Sequence, residues 1–183
     1  PERDLPALAV IYIDAVDTIA REAYSSSQVA AWLRWPTDEP DSFRERVLAG
    51  HCWVAEVDGE AAAFAEFTEP DHLDFLYTRG RFARLGLATR LHEHLEQIAR
   101  QTGATLLRTE ASFLSRRAFS KFGYEVCATE TVERFNETFT RFLMRKFLAI
   151  GPPATTEPSP CLTAHQKSFD VAPAVQQGDA VAW

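Results

Sequence analysis

Two polar side chains, His72 and Asp74, interrupt an otherwise apolar stretch of the sequence. Their neighbours are typical of a β-strand, on which residues two apart project from one face, so both are predicted to share a face with Leu76. A histidine titrates near neutral pH, which makes His72 a candidate proton acceptor. Asp74 would orient it, act through a water molecule or hold a cationic substrate. The alternative is that both face solvent or pair with a helix residue.

A second feature follows this strand, in the segment Arg84-Leu85-Gly86-Leu87-Ala88-Thr89. The glycine lets the backbone turn tightly into a helix, and the free N–H groups at a helix start form a site for an anion. Arg81 and Arg84 add positive charge. The Thr89 hydroxyl either bonds a phosphate oxygen or satisfies the first turn of the helix. The segment is therefore predicted to cradle a phosphate group with its backbone.

The elements that position these features are a strand at 73–78 and an amphipathic helix at 87–100. The apolar face of the helix recurs with the helical period, at Leu87, Ala88, Leu91, Leu95, Ile98 and Ala99. Asp58-Gly59 marks a hairpin between strands at 51–56 and 60–67. Further strands are predicted at 105–109, 125–132 and 138–147. This order predicts an α+β fold in which the strands at 73–78 and 105–109 are parallel.

Helices are predicted in the N-terminal region, and an irregular tail at the other end. Asp4 is the expected N-cap of a first helix, Ser26 or Ser27 caps a second at 28–33, and a third covers 43–49. From Gly151 onward the sequence is rich in Pro, Ala and Thr without a periodic apolar face. We therefore expect one domain at 1–149 and an irregular tail at 150–183.

Composition excludes several classes of protein. The net charge of −7 argues against a nucleic-acid binder, which needs a basic surface. Three separated cysteines without a C-x-x-C pair argue against a zinc site or disulfide framework. The apolar run at 8–13 is too short to span a membrane, and no signal peptide is visible, so a cytoplasmic protein is expected. His92 and His94 lie about 200° apart on a helix and are expected at its surface, not around a metal.

The strand, cradle and helix together resemble the GNAT N-acetyltransferase family. Gly86 and Ala88 match the end of its Gln/Arg-x-x-Gly-x-Gly/Ala motif. Ala83 stands at the Gln/Arg position, and the neighbouring Arg84 takes over part of that role. The segment 112–124 is similar to the family's second motif, Asn-x-x-Ala-x-x-Phe-Tyr-x-x-x-Gly-Phe. It carries Ser112 where Asn is frequent, Ser115 where Ala is frequent, and Gly123-Tyr124 in place of Gly-Phe.

The resemblance implies the GNAT fold, an α/β three-layer form of the α+β class. Its mixed, mostly antiparallel sheet contains a central parallel strand pair that splays apart. The family's first strand is expected to be missing here, which would leave one sheet edge incomplete. The splayed strands would bind the pantetheine arm of acetyl-CoA through Leu76, Tyr77 and Thr78, and the segment 84–89 would bind its pyrophosphate. Ser112 and Phe119 would also contact this co-substrate.

The resemblance further implies direct attack of a primary amine on the thioester in a ternary complex. The family's protein base, where present, often lies on the strand at 73–78, which favours His72 with Asp74. A backbone N–H near Leu76 or Tyr77 would meet the oxyanion. Glu66 and Glu69 are second candidates, although solvated carboxylates are the expected interpretation.

Phe119 departs from the family pattern, because a tyrosine that protonates the CoA thiolate often stands there. Water or another acid would then act, or the protein is a non-catalytic acyl-CoA-binding sensor. The acceptor stays open among a small amine, a polyamine, an aminoglycoside, a lysine and a peptide N-terminus. Four aromatic residues either line its site or pack in the core: Tyr12, Tyr24, Trp32 and Trp35. A homodimer is compatible with the resemblance, although the sequence does not fix the oligomeric state.

Overall fold

The computed structural model describes residues 4–148 and the backbone of residues 171–174. The helices are α1 (Leu5–Ile19), α2 (Ser26–Leu33), α3 (Trp35–Asp38), α4 (Pro40–Val47), α5 (Leu87–Gln101) and α6 (Ser115–Lys121). The strands are β1 (His51–Val57), β2 (Glu60–Thr68), β3 (His72–Thr78), β4 (Leu106–Ala111), β5 (Glu125–Arg134), β6 (Glu137–Phe147) and β7 (Val171–Ala174). Short 3₁₀ turns cover Ala20–Glu22 and Gly80–Phe82.

The strands form one sheet in the order β5-β6-β4-β3-β2-β1-β7. Every neighbouring pair is antiparallel except β3 and β4, which are parallel because α5 crosses over between them. The predicted α+β fold, with its mixed sheet and central parallel pair, is therefore confirmed.

Two apolar cores pack against the sheet, one containing α5 and the other containing α1. The first joins helix residues Leu87, Leu91, Leu95 and Ala99 to strand residues that include Ala65, Leu73 and Leu107. The second joins helix residues Leu8, Ile11, Tyr12 and Val16 to strand residues Cys52, Phe64 and Phe75. Adjacent residues of β3 alternate between these cores as far as the strand is regular, since Leu76 packs against the first and Tyr77 against the second.

A β-bulge interrupts that alternation at the predicted catalytic pair. The register pairs Glu66 with Phe75 but Phe67 with Leu73, so Asp74 is an extra residue in β3. The expectation that Asp74 shares a face with Leu76 is therefore wrong, because the bulge shifts the alternation by one residue.

The N-terminal helices differ in detail from the sequence prediction. Ser25, not Ser26 or Ser27, is the N-cap of α2, and its side chain accepts a hydrogen bond from the backbone N–H of Gln28 at 3.2 Å. The Gln28 side chain accepts in return from the N–H of Ser25, which completes a capping box. A short helix, α3, follows where the chain was expected to leave helical structure, because Pro36 fits its first turn. The third predicted helix begins earlier, at Pro40.

The sheet edge that was expected to be incomplete carries β7, which pairs antiparallel with residues 52–55 of β1. An edge strand presents unpaired backbone groups, and β7 satisfies those of β1. The rest of the predicted irregular tail, residues 149–170 and 175–183, lies outside the described residues. Within the described ranges, every helix is too short or too polar to cross a bilayer.

Candidate active site

The parallel strands β3 and β4 meet at one end and separate at the other. Their register contains one Cα pairing, between His72 and Arg108, at the beginning of β3. Next to it, the Thr109 hydroxyl donates a hydrogen bond of 2.8 Å to the carbonyl oxygen of Leu73. The register has no further pairing from Leu73 to the end of β3, so backbone groups on this side of the strand are left without a ladder partner.

A cavity of about 220 Å³ lies where the two strands separate. Its lining contains predicted site residues and the four aromatic residues of the N-terminal region: Asp74, Leu76, Tyr77, Ser112, Phe119, Tyr12, Tyr24, Trp32 and Trp35. The hairpin of β5 and β6 closes another side with Val132, Arg134, Phe135, Phe139, Thr140 and Arg141. The lining does not include His72, Thr78 or the segment 84–89.

His72 lies behind the cavity wall, held between two carboxylates that do line the cavity. Its Nε2 is 2.8 Å from Oε2 of Glu110, and its Nδ1 is 3.1 Å from Oδ1 of Asp74. Burial alone lowers the pKa of His72, but the hydrogen bonds and charges of Asp74 and Glu110 outweigh it and raise the pKa to about 9. At neutral pH the imidazole is therefore already protonated and donates to both carboxylates.

Asp74 also forms an ion pair with the buried Arg46 guanidinium from α4. His72, Asp74 and Glu110 have ligand atoms within 4.8 Å of one another, a spacing that could hold a metal ion. The protonated His72 donates from both ring nitrogens and has no lone pair for a metal ion, so the cluster is better described as a network of ion pairs.

Glu66, adjacent to this network on β2, is fully buried, which contradicts the expectation of a solvated carboxylate. Its Oε1 accepts from the Thr68 hydroxyl at 2.8 Å, while its Oε2 is buried without a hydrogen-bond partner. Burial, and secondarily the charge of Asp74, raises the pKa of Glu66 to about 8, so this side chain is protonated at neutral pH. Glu69, by contrast, is half exposed and lies 3.3 Å from His51.

The segment before α5 adopts the tight turn that its sequence predicts. Arg84 and Gly86 have positive φ angles of 65° and 78°. The first backbone hydrogen bond of the helix runs from Arg90 N to Gly86 O, so the preceding N–H groups have no partner within the helix. Arg84, Leu85 and Thr89 are exposed, whereas the side chain of Leu87 is buried in the α5 core and leaves only its backbone for a ligand.

Other cations near this turn are engaged. Arg79 pairs with Glu60 and with Asp14, and Arg81 also pairs with Glu60.

At the end of β3, the Thr78 hydroxyl oxygen is buried without a hydrogen-bond partner. An unsatisfied buried hydroxyl is costly, so Thr78 is an exception among the buried polar groups of the described residues.

The region of the second motif begins with a serine pair. Ser112 Oγ accepts from the N–H of Ser115, Ser115 Oγ accepts from the N–H of Ser112, and the two Oγ atoms are 3.0 Å apart. One turn later Phe119 is buried, with its ring 5.2 Å from that of Tyr124. The Tyr24 hydroxyl accepts from the Phe113 N–H at 3.1 Å and so brings a phenol to the same wall of the cavity.

Sequence reasoning missed Glu110 and Arg46, the two residues that complete the His72 network. Glu110 falls on a strand whose pairing with β3 could be predicted, but its register with His72 could not. The expectation that His92 lies on the surface is also wrong. Its ring is buried, stacks on Phe122 at 4.4 Å and has Nε2 3.2 Å from the Tyr124 hydroxyl.

This arrangement can be compared with known proteins. The family model of the GNAT acetyltransferases matches residues 13–124. The chain belongs to the GNAT family. As a GNAT protein it is an N-acetyltransferase, within the acyltransferase class of enzymes.

Individual relatives agree with this assignment. An uncharacterized N-acetyltransferase of Escherichia coli strain K12, YafP, is 28% identical over 142 residues, which are 78% of this chain and 89% of that protein. A GCN5-related N-acetyltransferase from Rhodopseudomonas palustris superposes with a TM-score of 0.75 at 29% identity, covering 80% of this chain and 91% of that one. PaiA N-acetyltransferase from Thermoplasma acidophilum, solved with coenzyme A, shares the fold, with a TM-score of 0.60 at 16% identity and 80% and 94% coverage.

Proposed function

We propose that this GNAT protein transfers an acetyl group from acetyl-CoA to a primary amine by direct attack in a ternary complex. The observation that carries the proposal is the separation of β3 from β4 beyond His72, which opens a cavity lined by residues 74–77 of β3, the strand that precedes the Gly86 turn in the chain. A thioester bound along β3 would reach this cavity with its acyl end, while its phosphates would lie at the start of α5.

The co-substrate would be held mainly by backbone groups. The N–H groups at the start of α5, within the segment 84–89, would bind the pyrophosphate, and the exposed Arg84 would add charge. Leu76, Tyr77 and Thr78 would bind the pantetheine arm through the side of β3 that lacks a ladder partner. Ser112 and Phe119, which line the cavity, would contact the acyl end. Coenzyme A in the PaiA structure supports an acyl-CoA as the donor, and acetyl-CoA is our specific proposal.

The proton of the amine would be handled by the His72 network as a unit. Asp74 and Glu110 line the cavity and would receive the substrate ammonium. Glu110 would then accept its proton, while the protonated His72 holds both carboxylates in place from behind. This assigns His72 a positioning role in place of the base suggested by its sequence position, because both its nitrogens already donate.

The neutral amine would attack the carbonyl carbon of the thioester, and its lone pair would form the new C–N bond. A backbone N–H near Leu76 or Tyr77 would stabilise the oxyanion without reorganisation. Collapse of the intermediate would break the C–S bond and release CoA thiolate, while the second N–H proton of the attacking nitrogen passes to water and leaves the neutral amide. Phe119 cannot donate a proton to it, but a thiolate is a fair leaving group near neutral pH, so turnover does not require an acid at that position.

The test of co-substrate binding is calorimetric titration of acetyl-CoA into the wild type and Gly86→Glu. A glutamate at 86 has open space around its Cβ but places a negative charge at the proposed phosphate site. The matched control is Gly103→Glu, because Gly103 also has a positive φ, 86°, and open space, but it follows the other end of α5. We expect Gly86→Glu to lose binding by about 100-fold or more and Gly103→Glu to retain it.

Thiol release over a panel of amines is measured in parallel. Release that depends on both acetyl-CoA and an amine supports the transferase. If both glycine variants lose acetyl-CoA binding equally, backbone strain is the cause of the loss. The proposed phosphate site would then be left without support. Absence of acetyl-CoA binding to the wild type would overturn the proposed function.

A further inference from the structure

We infer that the acceptor is a small monoamine with an uncharged aromatic or apolar body, the amine being its one charged group. This deepens the proposed function and rests on it. The inference comes from three properties of the cavity: the residues that line it, the pairing of its charges and its size.

Aromatic side chains are the largest class in the lining, and three of them, from separate elements, pack against one another in its wall. Trp32 from α2 and Phe139 from β6 have ring centroids 5.9 Å apart, and Tyr24 contacts both, at 5.3 and 6.0 Å. These three rings are partly exposed, unlike Tyr12 and Phe75 in the α1 core. Partly exposed rings on a concave surface favour an apolar or aromatic ligand.

The charged groups of the lining are already paired with opposite charges. Asp74 pairs with Arg46, and Glu110 pairs with His72 at 2.8 Å. On the hairpin side the same holds, since Arg134 lies 3.1 Å from Glu39 and Arg141 pairs with Glu130. A substrate carboxylate or phosphate, or a second ammonium, would have to displace one of these pairs, which is unfavourable in a partly buried site.

The volume of the cavity further limits the class of acceptor. A cavity of about 220 Å³ is below the range of roughly 300–1,000 Å³ that holds drug-sized ligands, and it must also admit the acyl end of the donor. A single ring on a short alkyl chain satisfies this limit. An aminoglycoside would extend beyond a cavity of this size, and a polyamine carries further charges that the paired groups of the lining do not neutralise.

The experiment compares three acceptors that differ in the charge they carry besides the reacting amine. They are 2-phenylethylamine, phenylalanine (the same skeleton with a carboxylate) and spermidine. The kcat/KM for 2-phenylethylamine is expected to exceed that of either competitor by about 10-fold or more. Phe139→Ala is expected to raise the KM for this amine about 10-fold and to leave the KM for acetyl-CoA unchanged. The control is Phe147→Ala, on the same strand, because Phe147 is 65% exposed and does not line the cavity.

Titration of 2-phenylethylamine into the full chain saturated with CoA separates this inference from the proposed function. Binding that weakens in Phe139→Ala, without turnover on any amine, supports the class of ligand inferred for the cavity and contradicts the transferase. Turnover that prefers phenylalanine or spermidine supports the transferase and overturns the acceptor class. The acceptor class is equally overturned if 2-phenylethylamine neither binds at millimolar concentration nor reacts.

Discussion

His72 and His92 are both withdrawn from solvent, yet the protein shifts their pKa values in opposite directions. Burial lowers the pKa of each ring. Around His72 it is outweighed by Asp74 and Glu110, which raise the pKa to about 9. Around His92 it is reinforced by the charge of Lys146, and the pKa falls to about 4 although Glu96 opposes the change.

The opposite pKa shifts separate a polar site, the ion-pair network around His72, from a packing site, the stacked rings around His92. His72 is a charged connector between two carboxylates that line the cavity. His92 is a neutral ring between Phe122 and Tyr124 with no contact to that cavity. Burial lowers the pKa of both rings, so the charges of the nearest neighbours decide that the two pKa values shift in opposite directions.

The largest effect is expected from Glu110→Gln, which keeps the size of the side chain and removes its charge. The pKa of His72 should fall from about 9, because one of the two carboxylates that raise it is lost. Loss of the proposed proton acceptor should lower kcat about 100-fold. NMR titration of the His72 ring and a pH–rate profile measure the two effects.

The control for this variant is Glu125→Gln, which removes an exposed carboxylate that lies 2.9 Å from Arg145 and outside the cavity. If Glu110→Gln lowers the His72 pKa but leaves kcat unchanged, the network is structural only. The proposed proton transfer would then be wrong.

A second prediction concerns His92→Phe, which replaces one packed ring by another. A histidine whose pKa is lower in the folded than in the unfolded state stabilises the fold at pH values above the unfolded pKa of 6.5. That stabilisation is lost as the pH falls from 6.5 towards 4. The wild type should therefore lose about 2 kcal/mol more than the variant between pH 7 and pH 4.5. Urea unfolding at the two pH values measures this difference.

Activity at pH 7 should change less than about 3-fold in His92→Phe, because the ring does not line the cavity. A loss comparable to that of Glu110→Gln would contradict the division between a polar site and a packing site. An identical pH dependence of stability in wild type and variant would contradict the depressed pKa of His92.

A third prediction tests the buried carboxyl beside the polar site through Glu66→Gln. A carboxyl whose folded pKa is raised keeps its proton longer in the folded state, so its contribution to stability falls as the pH rises from 4.5 to about 8. The glutamine variant lacks this loss and can still accept from Thr68. Relative to the wild type, the variant should gain about 4 kcal/mol of stability between pH 5 and pH 9.

Glu69→Gln is the matched control for this variant, because Glu69 is half exposed just beyond the end of β2. Urea unfolding of the wild type and the two variants at pH 5 and pH 9 measures the free energy of unfolding that this prediction concerns. A stability gain of equal size at pH 5 would show that the charge of Glu66 is not its cause.

Local sequence patterns predicted the frame of the site but not its polar contacts. The glycine turn and the period of α5 are local properties, so the turn at Gly86 and the parallel pair could be predicted from the sequence. The bulge at Asp74 depends on how β2 and β3 align, and the contact of Glu110 with His72 depends on where β3 and β4 meet. Neither the bulge nor the contact can be predicted from the residues near it in the sequence.

His92 shows a signal that was present but was read incompletely. It follows Leu91 and precedes Leu95 by three positions, so it lies at the border of the apolar face of α5. Whether such a border residue is covered depends on a distant segment, here Phe122 and Tyr124 after α6. Helical periodicity can locate the border, but only tertiary packing decides its burial.

The smallest effect is expected from Lys146→Met, which keeps the aliphatic stem and removes the ammonium near His92. Lys146 pairs with Glu96, whose Oε2 lies 3.9 Å from Nδ1 of His92. Without the lysine, Glu96 keeps its pair with Arg100 through Oε1, at 2.6 Å, but its charge acts more strongly on the ring. The pKa of His92 should therefore rise above 4 but stay below 6.5, since burial is unchanged. NMR titration of His92 measures this, with His72 in the same sample as an internal control that should not move. A His92 pKa that rises above 6.5 would mean that charge, not burial, dominates at the packing site, and the contrast between the two histidines would then be one of charge alone.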